Sequence, residues 1–183
     1  MAVEMSASRL LAPYFGDSLF IWANLIGLIL IYLTAGYWLG GRIADRWPRP
    51  RLLYSLTLAA AAASAVVPFV AKPIMSLAIQ GIAQVSAGAF LGSFGVTVLL
   101  FSLPVTILGT VAPFAIRLSM TRVENAGNVS GGLYALSTIG SILGTFLPVF
   151  LLIPWIGTRD TMLAFAAVLA GISAAGLGRW LGA

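Results

Sequence analysis

The chain has 183 residues, of which 60% are hydrophobic and only 8% charged, and its mean hydropathy is +1.03. An ordinary soluble domain carries about 25% charged residues, so this chain cannot cover itself with polar surface in water. One crossing of a hydrocarbon core about 30 Å thick needs about 20 apolar residues, so the length allows at most about six or seven crossings. The composition therefore predicts an integral membrane protein with no room for a soluble enzyme domain.

Residue types that several kinds of site require are absent from the sequence. Cysteine and histidine do not occur, which excludes disulfides, thiolate nucleophiles and the commonest general base and metal ligand. The net charge of +5 comes from few basic residues, which lie mainly in short gaps between apolar runs, so no extended surface for nucleic acid is expected. We expect no catalytic residues, no cofactor, no metal site and no nucleic-acid partner, with the lipid bilayer as the main surrounding.

Two crossings are clear in the first half of the chain. Residues 18–39 are interrupted only by uncharged polar side chains, and residues 52–70 contain a run of alanines that permits close approach of helices. The segment between them, GGRIADRWPRPR, places four arginines around Asp45. Its two prolines prevent one helix from running through, so we expect a tight basic turn.

The next stretch, residues 74–120, is too long for one crossing and has no charged residue before Arg117. We expect an amphipathic helix at the membrane interface over 74–86 and one crossing over 87–116, with two crossings as the alternative. The interfacial helix is predicted because three polar residues spaced by four share one helical face: Ser76, Gln80 and Gln84.

The last two crossings are predicted over 133–153 and 161–177, after a glycine- and asparagine-rich loop over 121–132. Basic residues favour the cytoplasmic side, and a single crossing over 87–116 gives the larger bias. We therefore expect a multi-pass protein of the cell inner membrane with most basic loops cytoplasmic. The cytoplasmic set is Arg42, Arg46, Arg49, Arg51, Arg117, Arg122 and Arg179, against Arg9, Lys72 and Arg159 outside.

The basic turn resembles the loop between the second and third helices of major facilitator superfamily transporters, where Gly, Asp and basic residues join two helices. Gly41, Asp45, Arg46 and Arg49 fill those places here. The alternative interpretation is a positive-inside hairpin with one ion pair inside the loop.

Four segments together resemble the membrane domain of the fused transporter-like spermidine synthase family. They read EMSASRLLAPYFGDSLFIW, GYWLGGRIADR, LPVTILGTVAPFAIRL and GGLYALSTIGSILGTFLPVFLLIPWIGTRDT. The resemblance implies one half of a major facilitator fold that lacks its first helix, because a further span normally precedes the first of these segments. No segment resembles the nucleotide loop and acidic residues of the aminopropyltransferase domain, so enzyme activity is not implied.

Small residues at a spacing of four predict close helix packing, either within the chain or between subunits. The pairs are Gly36 with Gly40, Gly88 with Gly92, and Gly140 with Gly144. Three amide side chains are candidates for lining a polar cavity, with interhelical hydrogen bonding as the alternative: Asn24, Gln80 and Gln84. No ionisable residue is expected at mid-membrane, because Glu4, Arg9 and Asp17 are assigned to the N-terminal end.

These observations favour a non-catalytic integral membrane subunit or scaffold that packs against another membrane protein or a separate subunit. Five crossings are fewer than the six of one major facilitator half, and transporters of that class bind substrate between two halves. The alternative is a transporter half, polyamine-related by the resemblance, that acts as a homo-oligomer. A path for a polycation is expected to present carboxylates at depth, and the sequence analysis finds none there.

Overall fold

The computed structural model describes residues 1–82, 88–120 and 126–181, and these residues form helices with no β-strand among them. A π-helical segment, Pro148–Leu152, joins the last two helices. The fold class predicted from the sequence, an all-α polytopic arrangement, is confirmed. The helices are α1 (Ala2–Phe15), α2 (Leu19–Arg46), α3 (Pro50–Ile82), α4 (Gly88–Gly109), α5 (Val111–Ser119), α6 (Ala126–Leu147) and α7 (Ile153–Leu181).

Four stretches are long and apolar enough to cross a membrane: Leu19–Arg46, Pro50–Gln80, Phe90–Ser119 and Ala126–Arg179. The fourth has 54 residues, which would extend about 80 Å if it were straight. It is broken at Gly157, whose φ of 83° and ψ of 166° are essentially restricted to glycine. Ser141 before the break and Leu169 after it border the same cavity, so the chain doubles back.

The core forms around α2, which contacts α1, α4 and α5, while α3 packs on α4 and α7. Branched and aromatic side chains fill the contact between these helices because each helix is apolar around most of its circumference. The fully or almost fully buried members include Leu11, Leu25, Ile29, Met75, Val96 and Phe101.

The structure differs from the sequence prediction at the end of the second crossing. The prediction ended that helix at residue 70 and placed a separate interfacial helix over 74–86, whereas α3 continues through Pro68 and Pro73 to Ile82. Membrane helices tolerate proline because neighbouring groups satisfy the freed backbone. Here Met75 is fully buried in the core, which anchors the continuation. Residues 83–86 of the predicted interfacial helix lie outside the described residues.

Proline does determine the break between α4 and α5. α4 ends at Gly109, four residues before Pro113, and only Thr110 separates it from α5. Pro113 has no N–H to donate to the carbonyl of Gly109, and its ring clashes with that carbonyl. Pro104, by contrast, lies inside α4 without ending it.

The glycine-rich segment that was predicted as a loop is helical over its described part. α6 begins at Ala126 and runs through Gly127, Gly131 and Gly132, where the sequence predicted a crossing only from residue 133. Each glycine weakens a helix by only about 1 kcal/mol relative to alanine, and apolar surroundings leave the backbone no water to bond instead. Residues 121–125 of the predicted loop lie outside the described residues.

Candidate functional site

The predicted basic turn is tied to the rest of the molecule by Asp45. Its Oδ1 accepts a hydrogen bond from Nε of Arg117, at 3.2 Å, which links the end of α2 to the end of α5. Two nearby arginines stack on tryptophans: Arg42 lies 3.6 Å from the ring centroid of Trp38, and Arg46 lies 5.0 Å from that of Trp47. The acidic residue of the turn therefore pairs across the helix bundle, where the sequence interpretation considered only a partner inside the loop.

Of the other two residues of the turn, Arg49 takes part through its backbone. The carbonyl of Arg49 accepts a hydrogen bond from the N–H of Leu52, at 3.0 Å, in the first turn of α3. Gly41 borders open space, since a Cβ there would meet no described atom within 4 Å. This end of the molecule, with its cluster of arginines, is called the basic end below.

The first predicted glycine pair lies in a backbone-to-backbone contact between α2 and the α4–α5 junction. A Cβ on Gly36 would overlap the carbonyl oxygen of Thr106 and the Cα of Gly109, and a Cβ on Gly40 would overlap the backbone of Thr110. Only glycine permits this approach. The second pair, Gly88 and Gly92, is also buried.

The third glycine pair, on α6, divides between two environments. Gly144 is buried beneath the start of α1, where a Cβ would lie 3.3 Å from the backbone nitrogen of Ala2. Gly140 is exposed, and a Cβ there would meet no described atom within 4 Å. The turn of α6 at Gly144 therefore packs against α1, whereas the preceding turn, at Gly140, is not in contact with another helix at this position.

The amide residues predicted to line a polar cavity are not brought together. Asn24 is buried and its Nδ2 donates a hydrogen bond to Oγ of Ser93, at 3.0 Å, so it joins α2 to α4. Gln80 is exposed near the end of α3, and Gln84 lies outside the described residues. A second interhelical bond, from Oγ of Ser173 to Oγ1 of Thr57 at 2.7 Å, joins α7 to α3.

The turn between α1 and α2 is short and well capped. Gly16 has a φ of 84°, and the Oγ of Ser18 accepts a hydrogen bond from the N–H of Ile21 at 3.4 Å. Nε1 of Trp22 donates to Oδ1 of Asp17 at 2.6 Å. Because the turn is so tight, α1 folds back along α2.

This arrangement places Glu4 among the apolar side chains of the bundle. Glu4 and Met1 border the same space as Ile29, and both also border a cavity with Leu33, which is midway along α2. The Oε2 of Glu4 lies 3.2 Å from the amino-terminal nitrogen of Met1, and the Glu4 side chain is 18% exposed. This position of Glu4 was not predicted, because the residue was assigned to the N-terminal end of the chain, outside the apolar runs.

A cavity of about 620 Å³ lies beside the first turn of α1, between α2, α3, α6 and α7. Its size is within the range of about 300–1,000 Å³ typical of small-molecule sites. Most of its wall is apolar, and its polar members are Glu4, Tyr37, Ser64 and Ser141. Ser64 is 4% exposed, and its Oγ has no hydrogen-bond partner among the described residues.

The face of α6 turned away from α1 is the least covered part of the bundle. In the most apolar window of Ala126–Arg179 only 11% of residues are buried, against 28 to 44% in the other three stretches. The exposed side chains of α6 include Leu136, Ile139 and Leu143. Gly131 and Gly132 lie among them with open space above each Cα, and Gly140 lies at the edge of this surface, where it also borders the cavity beside α1. We refer to residues 131–143 as the open α6 face.

Within the described residues, no group of three or more His, Cys, Asp or Glu side chains is placed to hold a metal ion. No family model, curated protein or solved structure matches the chain. The likeness to the fused transporter-like spermidine synthase family therefore stays a prediction from the quoted segments.

Proposed function

We propose that this chain is a non-catalytic membrane subunit that packs against another membrane protein through the open α6 face. The observation that carries the proposal is the contrast in coverage: in the most apolar window of the last stretch 11% of residues are buried, against 28 to 44% in the corresponding windows of the first three. A helix so little covered by its own chain contributes little to the stability of the isolated fold. Its surface is available to lipid or to a partner.

The small residues of the open α6 face favour a protein partner over lipid alone. In a membrane, helices associate through close packing, and glycine lets two backbones approach. Gly132 and Gly140 lie on α6 with no described atom within 4 Å of a Cβ position, and the exposed Leu136 lies between them. A partner helix can therefore seat between leucine side chains and against the α6 backbone.

We further propose that the basic end faces the cytoplasm of a cell inner membrane. Arginine and lysine are enriched on that side, and tryptophan favours the interface. The stacked pairs Arg42 with Trp38 and Arg46 with Trp47 fit an interfacial position because each combines an aromatic ring with a charged group. Any water-soluble part of a partner is then expected on this side.

Site-specific photo-crosslinking in the native membrane tests the partner. A photoreactive residue at Leu143 of α6 is compared with one at Leu99 of α4, since these leucines are 60% and 70% exposed. We expect a defined protein adduct from position 143 and lipid adducts from position 99. The same adducts from both positions would contradict the proposal. Mild-detergent purification and mass spectrometry then identify the partner.

A matched pair of glycine substitutions tests the same face without a probe. Gly132→Leu adds bulk on the open α6 face, and Gly27→Leu adds the same bulk on an exposed part of α2 with equally open space. We expect Gly132→Leu to reduce co-purification of the partner by at least about tenfold, the equivalent of about 1.4 kcal/mol. Gly27→Leu is expected to retain it.

The second candidate function is a transporter half that acts as a homo-oligomer, with a polyamine as the substrate implied by the resemblance. The position of Glu4 at depth, beside a cavity, favours it, because intramembrane carboxylates often mark cation paths. Uptake of labelled spermidine by vesicles that contain only the purified chain is the test. Uptake would overturn the subunit proposal, whereas a partner captured at position 143 without uptake would support it.

A further inference from the structure

We propose that Arg42 and Arg46, at the basic end of α2, bind the phosphate of an anionic phospholipid. The inference requires neither a partner protein on the open α6 face nor a particular side of the membrane, so it goes beyond the proposed function. It rests on the spacing and exposure of the two arginines, on the charge around them, and on their position along α2.

Arg42 and Arg46 lie on neighbouring turns of one helix face. Both belong to α2, which ends at Arg46, and residues four apart in a helix have Cβ atoms about 5–6 Å from each other. Both side chains are exposed. Each guanidinium lies over an indole ring, 3.6 Å from the centroid of Trp38 for Arg42 and 5.0 Å from that of Trp47 for Arg46. The two cations are therefore neighbours on the surface, and each is held against a tryptophan.

The positive charge of this pair has no acidic partner among the described residues. The one acidic residue of the turn GGRIADRWPRPR is Asp45, and its Oδ1 pairs with Nε of Arg117, 3.2 Å away. Neither Arg42 nor Arg46 forms an ion pair within the described part of the chain. Like charges four residues apart repel each other and destabilise a helix. An anion bound by both guanidinium groups would offset that repulsion.

The position of the pair along α2 corresponds to the level of lipid phosphates. No charged residue occurs between Asp17 and Arg42. The part of α2 from Leu19 to Leu39 is about 30 Å long at 1.5 Å per residue, which equals the thickness of a hydrocarbon core. Arg42 and Arg46 then lie about 5 Å and about 10 Å beyond it, within and at the outer edge of the headgroup layer. Tryptophan rings favour the same layer.

The shape and charge of the two guanidinium groups favour a phosphate with net negative charge. The planar set of N–H donors on a guanidinium matches two phosphate oxygens at once, and contact with an aromatic face leaves the donors at its edge available. The ammonium group of a zwitterionic lipid would be repelled by the second arginine. Arginine clusters beside a membrane helix attract anionic lipids for this reason. Phosphatidylglycerol has the required charge, whereas phosphatidylcholine does not.

The helix face that leads to the arginines can hold the acyl chains of the same lipid. Ile31 lies seven residues before Trp38, which is two turns of helix and returns to the same face. Both side chains are exposed, as is Thr34 between them. Acyl chains along these residues would continue directly from a phosphate at Arg42. This continuity selects a phospholipid over a free phosphate.

Native mass spectrometry of the purified chain, titrated in detergent with phosphatidylglycerol or phosphatidylcholine, tests the assignment. We expect Arg42→Gln with Arg46→Gln to weaken binding of the first phosphatidylglycerol at least about tenfold and to leave phosphatidylcholine unaffected. Arg9→Gln with Arg159→Gln is the matched control. It removes the same charge from exposed positions elsewhere, and Arg159 also lies over an aromatic ring, that of Phe69. Equal losses in the two double variants, or no loss in the first, would overturn the proposal.

Photo-labelling locates the lipid on the unaltered protein. The probe is a phosphatidylglycerol with a diazirine in its acyl chain, in nanodiscs of phosphatidylcholine. We expect saturable labelling within residues 31–38 that excess phosphatidylglycerol blocks. Glycerol phosphate carries the phosphate without the acyl chains and should not compete. Competition by glycerol phosphate would assign a soluble phosphate as the ligand, and labelling confined to other helices would place the lipid elsewhere, so either result would contradict the inference.

Discussion

The helices α2 and α6 carry the same small-residue spacing and use it differently. On α2, Gly36 and Gly40 meet the backbone of the α4–α5 junction so closely that no Cβ fits. On α6, Gly144 packs beneath α1, whereas Gly140 borders open space. The spacing indicates that a helix can be approached closely, and the location of the helix in the bundle determines whether the chain itself makes that approach.

The largest expected effect comes from filling the α2 contact. Gly36→Leu places a side chain against the carbonyl of Thr106 and the backbone of Gly109, which cannot move aside as a flexible side chain could. We expect a loss of stability of about 3 kcal/mol or more. Thermal unfolding and the yield of monodisperse protein in detergent measure it. Gly140→Leu is the matched change on α6 and is expected to leave the isolated chain within about 0.5 kcal/mol of wild type. Equal effects of the two substitutions would show that the contrast between α2 and α6 is wrong.

The next largest effect on stability is expected at Gly157, where the chain reverses direction. Its φ of 83° and ψ of 166° lie in a region that costs other residues about 1–3 kcal/mol. Gly157→Ala is therefore expected to destabilise the protein by that amount and to loosen α7 from α3. Arg159 of α7 lies 4.6 Å from the ring centroid of Phe69 on α3, and this cation–π contact should be lost if α7 loosens from α3. Gly127→Ala in helical α6 is the control, and it should raise the unfolding temperature or leave it unchanged.

Removal of a hydrogen bond between helices should also distinguish α2 from α6, by a smaller change in the free energy of unfolding. The bond between Asn24 and Ser93 joins α2 to α4, whereas Oγ1 of Thr138 on α6 donates to the carbonyl of Tyr134 in its own helix. A double-mutant cycle on Asn24→Ala and Ser93→Ala is expected to give a coupling energy of about 0.6 kcal/mol and at most about 1.7 kcal/mol. Thr138→Ala with Ser93→Ala should give no coupling. Coupling of the second pair would contradict the packing described.

The smallest effect is expected at the basic end. The Asp45 and Arg117 side chains are 76% and 45% exposed, so their ion pair should contribute only about 0–1 kcal/mol. Asp45→Asn should lower the unfolding temperature slightly at low salt and not at high salt, because salt screens exposed charges. Asp160→Asn is the control. A large effect of Asp45→Asn at high salt would show that the pair is more than a surface contact.

The sequence predicts the class of fold well because hydropathy and length act over whole segments. Apolar runs long enough to cross a membrane follow from composition, whereas individual helix boundaries depend on packing. The second crossing was predicted to end at residue 70, but α3 continues past Pro73 because Met75 is buried in the core. Gly127 was placed in a loop, but it is helical. Local propensities of about 1 kcal/mol are smaller than the gains from tertiary contacts.

The candidate site was harder to predict than the fold. Asn24 was predicted either to line a polar cavity or to form a hydrogen bond between helices. Its hydrogen bond to Ser93 corresponds to the second role. Glu4 was assigned to the surface, although a count along α1 would have found it. The turn at Gly16 is tight, and 12 residues of helix at 1.5 Å each place Glu4 about 18 Å from it. No sequence pattern pointed to Ser64, because its burial beside the cavity follows only from how the helices pack around it.

The contact between α3 and α7 has a consequence for biosynthesis. Three contacts join these helices: a hydrogen bond between Thr57 and Ser173, a close approach of Tyr54 to Gly176, and a cation–π contact between Phe69 and Arg159. About 70 residues separate the end of α3 from the start of α7, which a ribosome takes roughly 4–14 s to add. During that interval α3 must remain in the bilayer with its α7-facing side against lipid or a membrane chaperone. Insertion of the early helices therefore precedes completion of the bundle, and a ribosome that stalls before residue 153 leaves a chain whose first and third helices still lack their final neighbour.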